Sequence, residues 1–345
     1  SHLFRMYVHW LDHLLHRINA VLACIVNGLL FYVLQDDSKI KLGSYRYLIL
    51  IFVFFNLLSV LADNLVPLRV HDHKYAFSTF ILDGFFKQKS VLGAVMISIR
   101  CSLISATYGI LHSHFVYRYL ALFRNKILTN YFVPYGLLLT VLNCVLPMTI
   151  WICVCYLFLN ADDERRLYMQ HEIMEHYQGD VFDSNILVSL YQEASEETVL
   201  KSWVGIGTIT AISVASFSTD VVLRVLIVNK MNDAGLIMSK KMMDVQKRLM
   251  KALTVQVTVP MFASLAPCLY AWYKPMFNIS AGQWIDAIDV IAISFFPVLD
   301  PLALFFFVPA FNERLRQIFS CMTTKESQSR NSSKTVSTRV MVGTA

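Results

Sequence analysis

The stretch that decides the fold runs from Tyr45 to Leu68 and reads YRYLILIFVFFNLLSVLADNLVPL. It is almost entirely apolar, with Arg46 near its start and Asp63 as the one charged residue in its interior. An α-helix rises 1.5 Å per residue, so about 20 apolar residues cross the ~30 Å hydrocarbon core of a bilayer. The stretch therefore predicts a membrane-spanning helix.

Seven stretches of this kind occur, at residues 14–34, 45–68, 91–119, 132–159, 203–228, 249–273 and 284–308. The whole chain of 345 residues is 56% hydrophobic and 16% charged, with a mean hydropathy of +0.52. A soluble domain carries about 25% charged residues and cannot hide so much apolar surface. These values exclude a soluble enzyme and a nucleic-acid binder, and they predict an all-α membrane protein built as a bundle of seven transmembrane helices.

The basic residues of the short loops set the orientation. With the N-terminus outside, 18 Lys and Arg residues and six acids fall on the cytoplasmic side, against 10 basic and 15 acidic residues outside. The outer loop 160–201 alone has a charge of −7, which would either attract cations or keep a lid solvated. Residues 1–309 form the predicted seven-span domain, and we expect it to lie in the plasma membrane.

Beyond the last span, an apolar helical face predicts a short interfacial eighth helix at 310–322, and this face consists of Phe311, Leu315, Ile318 and Phe319. Cys321 is a candidate palmitoylation site. Residues 323–345 are polar and rich in Ser and Thr, so we expect a disordered cytoplasmic tail open to phosphorylation by a kinase. On the outer side, Asn278 begins an N-glycosylation sequon.

Ionisable residues inside the spans are costly unless they are paired or hydrated. Arg100 in the third span can pair with Asp63, Asp286 or Asp289, or can contact a ligand. Asp220 and Arg224 are spaced i, i+4 in the fifth span, which predicts a local ion pair.

Catalysis has no support in the sequence. The chain lacks G-x-S-x-G, P-loop and G-x-G-x-x-G motifs, and neither the cysteines nor the histidines have the spacing of a zinc site. We therefore expect no enzyme activity, no cofactor and no metal. Prolines inside the spans can instead permit kinks, and the candidate switch residues are Pro260, Pro267, Pro297, Asp300 and Pro301.

Several stretches in order resemble the nematode seven-transmembrane chemoreceptors, the serpentine receptors of the Str class and close relatives such as Srj and Srd. These are GSYRYL at 43–48, HFVYRY at 114–119, PMTIW at 147–151, QKRLMKAL at 246–253 with Pro260, and FPVLDPL at 296–302. The rhodopsin-type motifs D-R-Y, C-W-x-P and N-P-x-x-Y are absent.

The resemblance implies a chemosensory G-protein-coupled receptor in sensory-neuron cilia, which detects a small odorant or pheromone and signals through a heterotrimeric G protein. The basic stretch 240–251 then either anchors the inner leaflet or docks that partner. The candidate coupling residues are Tyr117, Arg118, Tyr119, Arg248 and Lys251. The candidate ligand residues, chosen by depth and polarity, are Met96, Arg100, Ser213, Phe217, Tyr270, Asp286 and Asp289.

Two other classes of membrane protein have to be weighed against a receptor. An odorant-gated cation channel of the insect type also has seven spans, but its N-terminus lies inside, opposite to the charge bias. A small-molecule transporter usually contains inverted repeats, and no repeat is visible in this sequence.

Overall fold

The structure, a computed structural model, describes residues 2–35, 42–81, 83–122, 130–234, 240–279, 291–308, 310–318 and 320. The helices there are α1 (His2–Gln35), α2 (Tyr45–Leu65), α3 (Val91–Leu122), α4 (Leu137–Val154), α5 (Asp163–Tyr177), α6 (Glu196–Ala234), α7 (Lys240–Pro260), α8 (Ala266–Tyr273), α9 (Phe296–Phe307) and α10 (Ala310–Ile318). Asp286, Asp289, Cys321 and the tail 323–345 lie outside the described residues.

Five helical stretches in the described part of the chain are long and apolar enough to cross a bilayer, at Leu14–Gln35, Tyr45–Leu65, Val91–Ala121, Phe132–Leu159 and Glu196–Asn232. Helices α9 and α10 are long and apolar enough to cross a bilayer only when they are taken together, and α10 is bent by 99° from α9. The predicted sixth span does not meet these criteria of length and apolarity, because the turn Met261–Leu265 divides it between α7 and α8 and because α7 carries Lys247, Arg248 and Lys251 around its middle. The described residues thus contain five or six such spans.

Irregular turns interrupt or extend three of the helical stretches. π-Helical turns at Phe132–Gly136 and Cys155–Leu159 extend α4 at both ends, and a third at Met261–Leu265 joins α7 to α8. That third turn lies between Pro260 and Pro267, where two prolines remove backbone donors from the helix. The predicted sixth span therefore changes its hydrogen-bonding pattern at its middle.

The third predicted span lies at the centre of the bundle. In α3, 67% of the apolar window is buried, against 17% in α4, and α3 packs against α2, α4 and α6. A central position explains how α3 tolerates Arg100 and His114, which are both buried away from lipid.

A three-stranded antiparallel sheet covers one end of the bundle, which corrects the expectation of an all-α protein. Its strands are β1 (Leu68–His73), β2 (Ala76–Ile81) and β3 (Ile186–Leu190), in the order β1-β2-β3. Leu68 pairs with Ile81, and Ala76 with Leu190. The second span also ends at Leu65 rather than Leu68, because Pro67 disfavours a helical Val66 and cannot continue the helix.

The helix α5 packs on the outer face of the sheet and is held there by buried arginines. Arg166 donates to the carbonyl oxygens of Ala161 (3.0 Å), Ser184 (2.8 Å) and Val181. Arg165 donates to Thr198 O (3.2 Å), which joins this layer to α6. Burial lowers the pKa of both guanidinium groups. The acidic loop 160–201 is therefore a folded layer rather than a solvated connection.

Two polar contacts join the sheet to the end of α8. The Lys274 ammonium, after α8, lies 2.6 Å from the Asp72 carboxylate in β1, and both side chains are buried. The Tyr191 hydroxyl, after β3, donates to Trp272 O at 2.8 Å. The sheet is thus fixed to the end of α8, so that a cavity can form between the two.

Candidate functional site

An apolar cavity of about 90 Å³ lies between the sheet and the helices. A single water needs roughly 10–15 Å³ of such space, so the cavity has room for a small organic molecule. The sheet contributes Leu68, Val70, Phe77, Thr79, Leu187 and Ser189. The helices and their connections contribute Arg100, Cys101, Ile104, Trp151, Cys155, Ile209, Cys268, Trp272 and Ile293.

The period of the strands explains why the sheet forms one wall of this cavity. Successive side chains of a strand point to opposite faces. In β1, Leu68 and Val70 line the cavity, while Arg69, His71 and His73 fall on the opposite face, towards α5. The sheet is therefore a two-sided layer, with an apolar face over the cavity and a second face against the outer helix.

Arg100 is the charged residue in the cavity wall. Its guanidinium forms an ion pair with the Asp63 carboxylate, which confirms one of the three pairings that the sequence allowed. The same two residues also line a second cavity of about 40 Å³ on the other side of the pair. With its charge paired, Arg100 leaves a mostly apolar lining, which suits a small uncharged ligand.

Among the predicted ligand residues that the structure describes, only Arg100 lines the main cavity. Met96 packs against the hydrophobic cluster that contains Trp151 and Trp272 of the cavity wall. Tyr270 is 43% exposed and faces away from the bundle interior.

Ser213 and Phe217 lie deeper in α6. The Ser213 hydroxyl donates to Ile209 O at 2.9 Å, and the Phe217 ring packs edge-on against Tyr108 with centroids 4.8 Å apart. These two predicted ligand residues therefore belong to the packing of α6 against α3 rather than to the cavity lining.

The residues that the sequence analysis missed are aromatic residues, cysteines and the whole sheet wall. Trp151 and Trp272 contribute rings 6.1 Å apart, and Cys101 and Cys155 complete that part of the lining. A signal was present, since both tryptophans fall near the same end of their predicted spans.

At the opposite end of α3, Arg118 is buried against the first residue of α2. Its guanidinium carbon lies 3.9 Å from the centroid of the Tyr45 ring, and Arg118 is 8% exposed. The Tyr45 hydroxyl is 2.9 Å from Nδ1 of His114. Tyr117 packs between the rings of Tyr45 (5.0 Å) and Phe132 (4.7 Å).

The other predicted coupling residues are more accessible. Tyr119 is half-buried, and Arg248 and Lys251 are exposed on α7. Arg118 is therefore buried against an aromatic ring, while Arg248 and Lys251 of α7 are exposed.

The expected ion pair between Asp220 and Arg224 is wrong. Asp220 is 1% exposed and lies 3.3 Å from Nδ1 of His112 in α3, whereas the Arg224 guanidinium donates to Thr254 in α7 at 3.1 Å. The i, i+4 spacing places both residues on similar faces, but each finds its partner on a different neighbouring helix.

Among the switch candidates, Pro297, Asp300 and Pro301 are buried in α9. Asn27 in α1 donates to Pro297 O at 2.8 Å, and Asn56 in α2 donates to Asn27 Oδ1 at 3.2 Å. Neither carboxylate oxygen of Asp300 has a hydrogen-bond partner within the described residues, although Gln256 of α7 adjoins it. The start of α9 is therefore tied to α1 and α2 by side-chain amides.

Comparison with known proteins gives the family. Residues 6–315 match the model of the serpentine type 7TM GPCR chemoreceptor Srj. The chain belongs to this family. Serpentine receptor class J-38 of Caenorhabditis elegans is 34% identical, over 91% of this chain and 95% of that protein. Serpentine receptor class r-10 of Caenorhabditis briggsae is 25% identical over 92% and 93%, and G-protein coupled receptor str-33 of Caenorhabditis elegans is 24% identical over 86% and 87%.

The serpentine resemblance noted in the sequence is thereby confirmed. Membership of the Srj family makes the protein a multi-pass membrane receptor of chemosensory, G-protein-coupled type, and chemoreceptors are not enzymes. The matched residues include the sheet, the cavity and the Arg118 cluster, so all three lie in the receptor domain. Asn278, the candidate glycosylation site of this receptor, is exposed in a left-handed turn after the 3-10 turn Lys274–Phe277.

Proposed function

We propose that this receptor detects a small, uncharged, largely apolar odorant or pheromone and signals through a heterotrimeric G protein. The observation that carries the proposal is the apolar cavity at one end of α3, with the buried Arg118 at the other. Arg100 and Arg118 are 18 residues apart, about 27 Å along a straight helix. A single rigid helix thus connects the ligand cavity with the surface that would meet the G protein.

The mechanism is a two-state equilibrium that the ligand shifts. A ligand acts only if it binds one state more tightly than the other. In the proposed active state the cavity closes around the ligand, α3 and α7 separate at their opposite ends, and Arg118 leaves the Tyr45 ring. Arg248 and Lys251 then provide further cationic contacts for the G protein.

The proposed membrane orientation has the N-terminus and the sheet outside and the Arg118 cluster in the cytoplasm. The excess of 18 cytoplasmic basic residues over 10 outer ones supports it. The 99° bend between α9 and α10 supports an eighth helix along the inner leaflet, with Cys321 at its end. The proposed location is the plasma membrane of a sensory-neuron cilium, and a kinase and arrestin would act on the tail.

Filling the cavity should abolish ligand detection. Cys155 lines the cavity, so Cys155→Phe places an aromatic ring in a space of about 90 Å³ and should remove the response. Cys153, two residues earlier in the chain, is exposed, so Cys153→Phe is the matched control. The measurement is a calcium or cAMP reporter in cells challenged with volatile and water-soluble odorants, with surface expression quantified by antibody.

We expect the Cys153→Phe receptor to respond like wild type. If the Cys155→Phe receptor reaches the surface and keeps its half-maximal agonist concentration, the ligand binds elsewhere. A response that persists in cells lacking functional G proteins would favour an odorant-gated channel instead. Uptake of labelled ligand without any G-protein output would favour a transporter.

Tag accessibility on intact cells tests the orientation. An epitope fused before Ser1 should be labelled without permeabilisation, and an epitope after Ala345 only after it. The physical reason is the concentration of Lys and Arg in the loops on one side of the bundle. The reverse pattern would contradict the receptor topology and would match the insect-type channel.

A further inference from the structure

Metal-ligating side chains meet on the face of the sheet that points away from the cavity. His71 comes from β1, and Glu172 and His176 come from one face of α5 at i, i+4 spacing. One ligand atom of each residue lies within 4.8 Å of the others. The sequence analysis expected no metal, because these ligands come from segments that are far apart in the chain.

Hydrogen bonds leave ring nitrogens available in this cluster. Nδ1 of His176 lies 3.0 Å from Glu172 O. A carbonyl oxygen only accepts, so Nδ1 carries the proton. Nε2 keeps its lone pair but lies on the far side of the ring from the Glu172 carboxylate, so the imidazole has to turn for Nε2 to meet the other ligands. His71 is 5% exposed, and its Nε2 has no hydrogen-bond partner within the described part of the chain. A buried ring nitrogen without a partner is costly unless something fills its place.

Neighbouring residues hold the Glu172 carboxylate in position. Its Oε1 is 2.6 Å from Nδ1 of His73, and its Oε2 is 3.1 Å from Nδ1 of His176. The nearby Lys274 ammonium pairs with Asp72 at 2.6 Å, so its charge is compensated locally. Carboxylates that bind a metal are usually held by hydrogen bonds from neighbouring residues in this way.

We propose that His71, Glu172 and His176 bind a divalent first-row transition metal ion of the zinc type. Two imidazoles and one carboxylate form a common zinc ligand set, with a water in the fourth position. Bonds of about 2.0–2.1 Å place tetrahedral ligands about 3.3 Å apart, so side-chain rotations from the present separations complete the site. The charge of −7 on the loop 160–201 also attracts a cation.

The bound ion would fix β1 to α5. Since Leu68 and Val70 on the other face of β1 line the cavity, the metal would stabilise the wall that covers the ligand. The ion is thus a structural clamp on the outer layer. Its existence does not depend on the proposed signalling function, because binding can be measured without agonist or G protein.

Competition between the purified full-length receptor and a chromogenic zinc chelator tests the site. We expect one Zn²⁺ per receptor and a higher unfolding temperature with the ion. His71→Ala, Glu172→Gln and His176→Ala should each weaken binding by about tenfold or more. His171→Ala is the matched control, because His171 lies on the same helix with its side chain 90% exposed, and it should leave binding unchanged.

Loss of binding in His171→Ala, with wild-type binding in His176→Ala, would overturn the proposal and place the ion on the exposed group His171, Glu172 and Glu175. Absence of stoichiometric Zn²⁺ binding by the wild-type receptor would also overturn it. If His71→Ala fails to fold, His176→Ala, whose side chain is already 20% exposed, still tests the site. Co²⁺ gives a second readout, since intense visible absorption by the wild type should disappear in that variant.

Discussion

Replacing Arg118 by alanine is expected to abolish agonist-driven G-protein signalling while the receptor still reaches the cell surface. Arg118 ends the buried part of α3 and is held by the Tyr45 ring at 3.9 Å. Once released, its guanidinium would be the donor that enters the G-protein interface, and alanine offers no replacement. We expect the maximal response to fall by about tenfold or more, measured by a G-protein dissociation assay at matched surface expression.

The contact with Tyr45 predicts the opposite effect when the tyrosine is removed. A desolvated cation–π contact contributes about 1–2 kcal/mol, so Tyr45→Leu should favour release of Arg118 by a factor of about 5–30 and raise signalling without agonist. Tyr47→Leu is the control, because Tyr47 is 49% exposed on the same helix. Full agonist signalling by Arg118→Ala would refute the role of Arg118 as a contact to the G protein. Unchanged basal signalling in Tyr45→Leu would refute the idea that the Tyr45 ring holds Arg118 in the inactive state.

The helices follow from the sequence because membrane spanning imposes a simple requirement. Runs such as 132–159 need only sufficient length and apolarity, and a helix forms over that range. The sheet escaped prediction because a search for runs of about 20 apolar residues treats everything between them as a loop. Yet β1, LRVHDH, alternates apolar and polar residues in its first four positions, the pattern of a strand with two different faces.

The residues that line the cavity were harder to predict than the helices, because the depth of a residue along a helix does not tell which way its side chain points. Successive residues of a helix are rotated by about 100°, so Tyr270 at a suitable depth still faces outward. The ion pair of Arg100 could be predicted because a guanidinium inside a membrane span needs a counter-ion, and only acidic residues at a similar depth can reach it. The sheet residues Thr79 and Ser189 had no comparable signal, since their position depends on pairing between distant segments.

Asp63→Ala is expected to destabilise the receptor by about 3–5 kcal/mol, because it leaves the Arg100 guanidinium buried without its counter-ion. Both side chains are about nine-tenths buried, at 8% and 11% exposure. The measurement is thermal unfolding of the detergent-purified receptor with a thiol-reactive dye, which reports exposure of buried Cys144, Cys155 and Cys268.

Replacing both partners distinguishes a paired charge from a merely well-packed side chain. Asp63→Leu combined with Arg100→Met removes both charges and keeps apolar volume, so the double variant should recover most of the stability lost in Asp63→Ala. Glu197→Gln breaks the exposed ion pair with Lys201 (2.5 Å) and should leave the unfolding temperature unchanged. If the double variant were as unstable as Asp63→Ala, the loss would come from packing around Asp63 rather than from an uncompensated charge. If it is stable but unresponsive to agonist, Arg100 acts on the ligand as well as on the fold, because the same guanidinium lines the cavity.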